Sequence, residues 1–440
     1  MNDNHPSATL GKMTVATPAT QSSTSIPTAA RKGNRGIRVL ASTTVLLTIS
    51  LFVTNYAFTR VDATKLVPMS DMTPQETAER SVAYKMRALE AMPTAPDILM
   101  VGSSLPMTVA VYSDAAHCKP QVDSFLEVSK IEHLNAFQAY PGAVYFSQLI
   151  KNRTGRAPSI FNLTMPACMS SDAYFLMSEA IARKQPKMVV WGIAPRDFVD
   201  NVVQPIGKTP AFGALPDWTW LGNIVPFQKN FTAAADSVSA AFVRFYNDRL
   251  ILKHALFSEL AGALHHPQSL ADSQKQQQAG AALPKLSLTN TKAIAPKPAA
   301  PIVAKAAAPA KPDTREPGWN PTLQPQYTDY DHRYNPPNYH TLDTQSHQFA
   351  DALASCQAKG IRVVLVDMPL PRRHQKLIDS ALHSAYRDRV MSLATKYGAT
   401  YIDMNHPDNY TADDWIDSLH VTASGADKFL NELVPQLPQL

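Results

Sequence analysis

Five short apolar runs punctuate the chain, at 97–101, 159–163, 187–193, 361–367 and 400–404. Each is rich in Val, Ile, Leu, Phe or Tyr and is flanked by turn residues, which predicts strands buried on both faces. Between them lie stretches with helical spacing, at about 142–151, 171–183, 344–359, 375–396 and 423–433. Strands alternating with helices predict a parallel sheet covered on both sides. Five strands fit a flavodoxin-like three-layer α/β/α sandwich, with strand order left open by the pattern alone. A further helix is predicted over about 74–92, where Thr73 precedes Glu76 at the spacing of a capping box.

The amino-terminal pattern is different. Residues 1–38 hold almost no large apolar side chains apart from the last few, so they cannot bury enough surface to fold and read as a disordered tail. The tail ends in a basic cluster containing Arg31, Lys32, Arg35 and Arg38. No charged residue then occurs from Val39 to Phe58. That run of about 20 residues is the length a helix needs to cross a bilayer, and it predicts one transmembrane helix ahead of the sandwich. The excess of basic residues before it places the tail in the cytoplasm and the rest of the chain outside, with the helix as an uncleaved single-pass signal anchor. A cleaved leader, which would yield a secreted protein, is the alternative. The organisation read from the sequence is therefore a tail (1–38), an anchor (39–58), a juxtamembrane connector (59–95) and the first part of an α/β domain (96–201). An aromatic and helical insert (202–265), an Ala/Pro/Lys-rich linker (266–318) and the second part of the domain (319–440) follow. The linker composition predicts extended, solvated backbone.

The chain has 440 residues, of which 45% are apolar, so a sizeable core is available. The formal charge of +5 is modest and forms no aromatic-interleaved basic face, which argues against a nucleic-acid partner. Three widely spaced cysteines, Cys118, Cys168 and Cys356, make neither a metal pattern nor a disulfide framework. They read as small buried hydrophobes, with one disulfide as the alternative. His117, His133, His340 and His406 have no metal-ligand spacing, so neither a metal nor a cofactor is expected.

Candidate chemistry sits at the two ends of the α/β region. The first predicted strand ends in Gly102-Ser103-Ser104, a tight turn that exposes a serine at the carboxyl edge of the sheet. Near the carboxyl terminus stands Asp417-Ser418-Leu419-His420, followed by Val421-Thr422-Ala423-Ser424-Gly425 and a helix. A serine hydroxyl needs a base within hydrogen-bond reach, and the base needs an acceptor to orient it. His420 and Asp417 supply both.

A serine block first and Asp-x-x-His last, bracketing an α/β chain, resembles the SGNH (GDSL-type) hydrolase superfamily over about 97–201 and 320–435. The Gly-Ser-Ser form resembles its cell-envelope branch of esterases and O-acyltransferases. The resemblance implies Ser104 as nucleophile, His420 as base, Asp417 as its orienting acid, and Ser103 in the place of the family's aspartate. It also implies oxyanion donors from two middle blocks, and here the sequence departs from the family. The second block reads Phe161-Asn162-Leu163-Thr164-Met165-Pro166-Ala167-Cys168, with no glycine, and the third reads Gly192-Ile193-Ala194-Pro195-Arg196-Asp197, with no asparagine at the family's spacing. Asn162, Arg196 and Ser103 are the oxyanion or substrate candidates, beside the amides of Ser104 and of the 164–168 turn. Arg372 and Arg373, after the fourth strand, are weaker candidates for an anionic substrate. The expected function is an extracytoplasmic serine esterase or O-acyltransferase, with an envelope polysaccharide or acyl carrier as partner. The alternative is a non-catalytic scaffold that binds envelope polymer or other proteins.

Overall fold

The computed structural model describes residues 45–46, 48–53, 55–56, 74–129, 134–202, 209–215, 220–224, 231–242 and 321–439. Internal contacts divide the chain into two units, 1–54 and 55–440. In the first, residues 45–46 and 48–53 are helical, and Val45, Leu46, Ile49, Leu51, Phe52 and Val53 are exposed. Half of the expected anchor, at 39–44, 47, 54 and 57–58, lies outside the described residues. Among those described, no helix is long and apolar enough to cross a membrane.

The second unit is built on one five-stranded sheet. Its strands are β1 (Ile98–Gly102), β2 (Ile160–Asn162), β3 (Met188–Ile193), β4 (Arg362–Asp367) and β5 (Thr400–Asp403), in the order β2-β1-β3-β4-β5. Every pairing is parallel, so the all-parallel sheet has the flavodoxin-like order. β1 and β3 are buried along their whole length because helices cover both faces, which is why they read as unbroken apolar runs.

The helices that matter here are α1 (Pro74–Ala91), α2 (Ser104–His117), α3 (Val144–Thr154), α4 (Ser170–Arg183), α5 (Gln324–Tyr334), α6 (Tyr339–Ala358), α7 (Ser380–Tyr397) and α8 (Ala423–Leu433). α2 packs against α3 and α8, while α6 packs against both α4 and α7. An aromatic chain links sheet to helices: Trp191 of β3 meets Phe349 of α6, and Phe198 joins Phe349 to Tyr386 of α7. The predicted helix at 375–396 is interrupted, with one turn at Arg372–Gln375 and α7 beginning at Ser380, where the Asp379 carboxylate caps the Leu382 amide. Of the helical stretch expected in the insert at about 233–263, the part up to Phe242 is helical, as Phe231–Phe242, and 243–263 lies outside the described residues. The expected linker at 266–318 lies outside the described residues. All three cysteines are buried and free, so the disulfide alternative is not realised.

Candidate active site

The site lies where the topology reverses. From β1 the chain crosses to β2 on one side and returns to β3 on the other, which opens a crevice beyond the carboxyl ends of β1 and β3. Gly102 and Gly192 are register partners at that edge, and Pro106 packs over both. A Cβ on Gly102 would stand 2.4 Å from the Gly192 carbonyl oxygen and 2.8 Å from Pro106 Cγ. Gly102 also has φ +135°, which L side chains rarely adopt. Only glycine lets the chain turn this sharply above its neighbour and deliver Ser104 as the first residue of α2.

Ser103 is the N-cap of α2 but makes no side-chain capping bond. Pro106, three residues on, has no amide proton to offer, and the Ser103 hydroxyl bonds the Asp197 carboxylate instead. Asp197 also accepts from the Ala194 amide at 3.0 Å, closing the turn after β3. Burial raises its pKa to about 7, against the opposing pull of Arg196 and these hydrogen bonds.

The Ser104 hydroxyl donates to His420 Nε2 at 2.7 Å, and His420 Nδ1 donates to Asp417 Oδ2, also at 2.7 Å. Asp417 Oδ1 accepts the amides of Leu419 (2.9 Å) and His420 (2.8 Å), an Asx-type turn that the three-residue spacing makes possible. The loop is clamped at its base by the Ile416 amide on the His420 carbonyl (2.9 Å) and by a bridge between Trp415 and Val421. Thr422 then caps α8. Burial would raise the Asp417 pKa. The charge and hydrogen bond of His420, with the two amides, more than offset burial and hold it below the ordinary carboxylate range. The His420 imidazole is thus held in the tautomer and orientation that leave Nε2 facing Ser104.

Beside Ser104 and His420 lies a cavity of about 240 Å³. Met107, Thr108, Val111 and Tyr112 of α2 line one side, with Phe137 and Gln138, while Arg196, Tyr330 and Arg333 enter from β3 and α5. Two larger grooves, of about 650 and 470 Å³, lie elsewhere and contain no member of the Ser104, His420 and Asp417 set. Volume therefore does not locate the site.

The oxyanion candidates separate in the structure. Asn162 is fully buried and spent on backbone: its Oδ1 accepts from the Thr164 amide (3.1 Å) and hydroxyl, and its Nδ2 donates to the Tyr140 carbonyl (3.2 Å). It is a brace for the 164–168 turn and does not line the cavity. Ser103 does not line it either, being turned to Asp197. Arg196 does. It is about nine-tenths buried, its Nε lies 3.3 Å from Asp200 Oδ2 without an aligned hydrogen bond, and no hydrogen bond of its guanidinium is found among the described residues. Burial opposes its charge, but Tyr330, Asp200, Asp197 and Tyr334 around it more than compensate, so its pKa is raised. Arg333 is committed to Asp200 (3.0 Å) and Asp329 (2.7 Å).

The 164–168 turn stands where the resembled family has a glycine. Here Ala167, on the cavity wall, adopts φ +57°, so an alanine takes the left-handed backbone that glycine usually supplies. The turn is held by Met165 N on the Gly102 carbonyl (3.0 Å) and by Lys85 Nζ of α1 on the Thr164 carbonyl (2.7 Å). Lys85 is fully enclosed, and burial lowers its pKa to about 7.

Several neighbours were not visible as site residues in the sequence. His374 is buried behind the Asp417 loop, hydrogen-bonded to Tyr334 Oη at 2.9 Å, and burial lowers its pKa to about 3, keeping it neutral. Arg372 and Arg373 do not reach the cavity. Arg372 pairs with Asp408, and Arg373 bonds Gln324 and stacks on Tyr327. His117, unassigned in the sequence, pairs with Asp427 at 2.7 Å and stacks on Tyr145. Among the described residues no cluster of His, Cys, Asp or Glu has the geometry of a metal site.

Residues 276–437 match the model of a family described as a protein of unknown function, DUF1574. The match takes in Asp417 and His420 and stops well short of Ser104. No curated protein matches the chain.

Proposed function

We propose that the chain is a serine esterase or O-acyltransferase of the SGNH type, anchored in a membrane and acting outside the cytoplasm on an ester of a cell-envelope glycan. The observation that carries the chemistry is the continuous Ser104–His420–Asp417 relay opening on a cavity at the topological switch point. The envelope setting rests on the SGNH resemblance and on the apolar 39–58 run.

In this reading Ser104 Oγ attacks the ester carbonyl while its proton passes to His420 Nε2. The imidazolium so formed is stabilised by the Asp417 carboxylate. The negative charge on the carbonyl oxygen falls at the amino end of α2, whose first amides have no partner in a preceding turn, with Arg196 as the cationic donor. Collapse expels the alcohol, which takes the proton back from His420, and leaves an acyl group on Ser104. Water or a sugar hydroxyl, deprotonated by His420, then attacks the acyl carbon, the bond to Ser104 Oγ breaks, and Oγ takes the proton back from His420. Water makes the protein an esterase and a sugar hydroxyl makes it a transferase.

A second reading is a binding scaffold that keeps an inactive SGNH-like site. The engagement of Asn162 and Ser103 in structural bonds favours it. Labelling of the full chain, in detergent, with a fluorophosphonate serine probe separates the two. Labelling that disappears in Ser104→Ala and in His420→Ala is the expected result. A folded wild-type chain that never labels would leave the scaffold.

A further inference from the structure

Four of the cavity-lining residues of α2 extend one face of the helix from the nucleophile. Met107, Thr108, Val111 and Tyr112 follow Ser104 at steps of three, four, seven and eight, the spacing of a single stripe. Val111 therefore lies about 10 Å along the axis from Ser104, at about 1.5 Å per residue. Met107 and Val111 make the middle of the stripe apolar, the Thr108 hydroxyl is spent on the Leu105 carbonyl (2.9 Å), and Tyr112 adds a phenol. Val111 and Met107 are backed by Val122 and Tyr140 in one buried cluster, and the Phe137 ring closes against Tyr112 at 6.3 Å between centroids. Charge is confined to the other side, where Arg196 and Arg333 enter beside His420.

Chemistry assigns the two sides different partners. In the tetrahedral intermediate the carbon on Ser104 Oγ carries the acyl substituent and the leaving oxygen in different directions, and the apolar direction from Ser104 is along α2. The leaving alcohol takes its proton from His420 and departs on the side of the arginines. The 240 Å³ of the whole cavity equals the liquid volume of about eight waters, and so of about eight non-hydrogen atoms, which sets the upper limit for an acyl group within it. Gln138 and the Tyr112 phenol are the polar groups on this side, and Gln138 Oε1 is buried with no partner among the described residues. A water or one polar atom of the acyl group belongs there.

Resting on the acyl chemistry proposed above, we propose that this apolar groove is an acyl subsite for a linear group of intermediate length, butyryl to hexanoyl, and that Met107 and Val111 set the length. The alternative outcomes are an acetyl site and a site indifferent to the chain.

The test uses the full chain in detergent micelles and p-nitrophenyl esters of acetyl, butyryl, hexanoyl and dodecanoyl groups, with fluorophosphonate labelling as a separate measure of an active serine. The readout is the ratio of kcat/KM for hexanoyl to that for acetyl. It is expected to be about tenfold or more, since each methylene that leaves water contributes up to about a fourfold factor. Dodecanoyl is expected to fall below hexanoyl. Val111→Phe should lower the ratio by about tenfold by filling the far end, and Met107→Ala should shift the optimum toward longer chains. If the larger side chain prevents folding, Met107→Ala alone decides. A labelled protein with a ratio of one or less, or with variants that leave the ratio unchanged, overturns the subsite and spares the serine chemistry. Absence of both labelling and turnover overturns the chemistry itself.

Discussion

The two sides of Ser104 are built in different ways. On one side the hydrogen-bonded chain is complete: Ser104, His420 and Asp417 are joined at 2.7 Å, and both oxygens of Asp417 are bonded. On the other side most of the polar groups near the reacting position hold up the fold. Asn162 braces the 164–168 turn, Ser103 ties α2 to Asp197 and Arg333 is paired with Asp200 and Asp329, which leaves Arg196 as the cation at the cavity with no hydrogen bond among the described residues. A relay can be written into a short block, because an aspartate and a histidine three residues apart pair within one loop. Charge stabilisation has to be assembled from the ends of separate strands.

The largest effect expected is on the relay. Ser104→Ala should abolish probe labelling and lower ester turnover by about 10⁴-fold or more, whereas a scaffold would bind its partner as before. Asp417→Asn should lower kcat by about 10⁴-fold with little change in KM, because an amide cannot hold His420 in the same tautomer. On the other side the expected loss is smaller. Arg196→Met should lower kcat by about 10²-fold, the worth of one oxyanion donor. It should also destabilise the fold by about 3–5 kcal/mol, because Asp200 and Asp197 lose a buried counter-charge, and thermal melting beside kinetics separates the two effects. A kcat unchanged in a folded Arg196→Met protein would remove arginine from the chemistry and leave the helix amides alone. Smaller still is Ala167→Gly. Relief of a left-handed alanine is worth about 1 kcal/mol and is partly cancelled by glycine entropy, so the melting temperature should move by only a few degrees.

The buried carboxylates give a pH dependence separate from catalysis. Burial raises Asp197 and Asp367 to about 7, against about 3.9 in an unfolded chain. Between about pH 4 and 7 the folded chain therefore holds protons that the unfolded chain has released, and these groups make stability fall as pH rises through that window. Lys85, lowered by burial from 10.5 to about 7, acts in the opposite sense above neutrality, because there the unfolded chain binds the extra proton. Asp417, held low, contributes stability that is present above about pH 4 and lost as pH falls through its folded pKa. Asp367→Asn should lose less of its melting temperature than wild type between pH 5 and 8, as measured by differential scanning calorimetry. An equal fall in both proteins would mean that Asp367 ionises normally.

Local pattern alone indicated the five strands and one helix in each crossover, though not the helices Ser104–His117 and Gln324–Tyr334, and the family resemblance picked out Ser104, His420 and Asp417. Those features depend on spacing within a few residues: unbroken apolar runs for strands covered on both faces, and a serine after a glycine turn. The Asp-x-x-His block closes its own loop in the same local way. The sequence also placed Arg196 at a strand end, without saying whether its guanidinium met a carboxylate or a cavity. Tertiary structure decided the rest, because the deciding partners are remote. Ser103 sits where a helix cap belongs, yet Pro106 withholds an amide and Asp197, 94 residues on, takes its hydroxyl. Asn162 stands at the expected strand end, but the amide of Thr164 and the carbonyl of Tyr140 use its side chain up. The wall formed by Met107, Val111, Tyr112 and Phe137 looks like ordinary core in the sequence. It becomes the side of a cavity because α5 and the Asp417 loop close over the carboxyl ends of β1 and β3 without filling the space beside Ser104. Composition along the chain says which side chains leave water, and only packing says which of them face one another across a void.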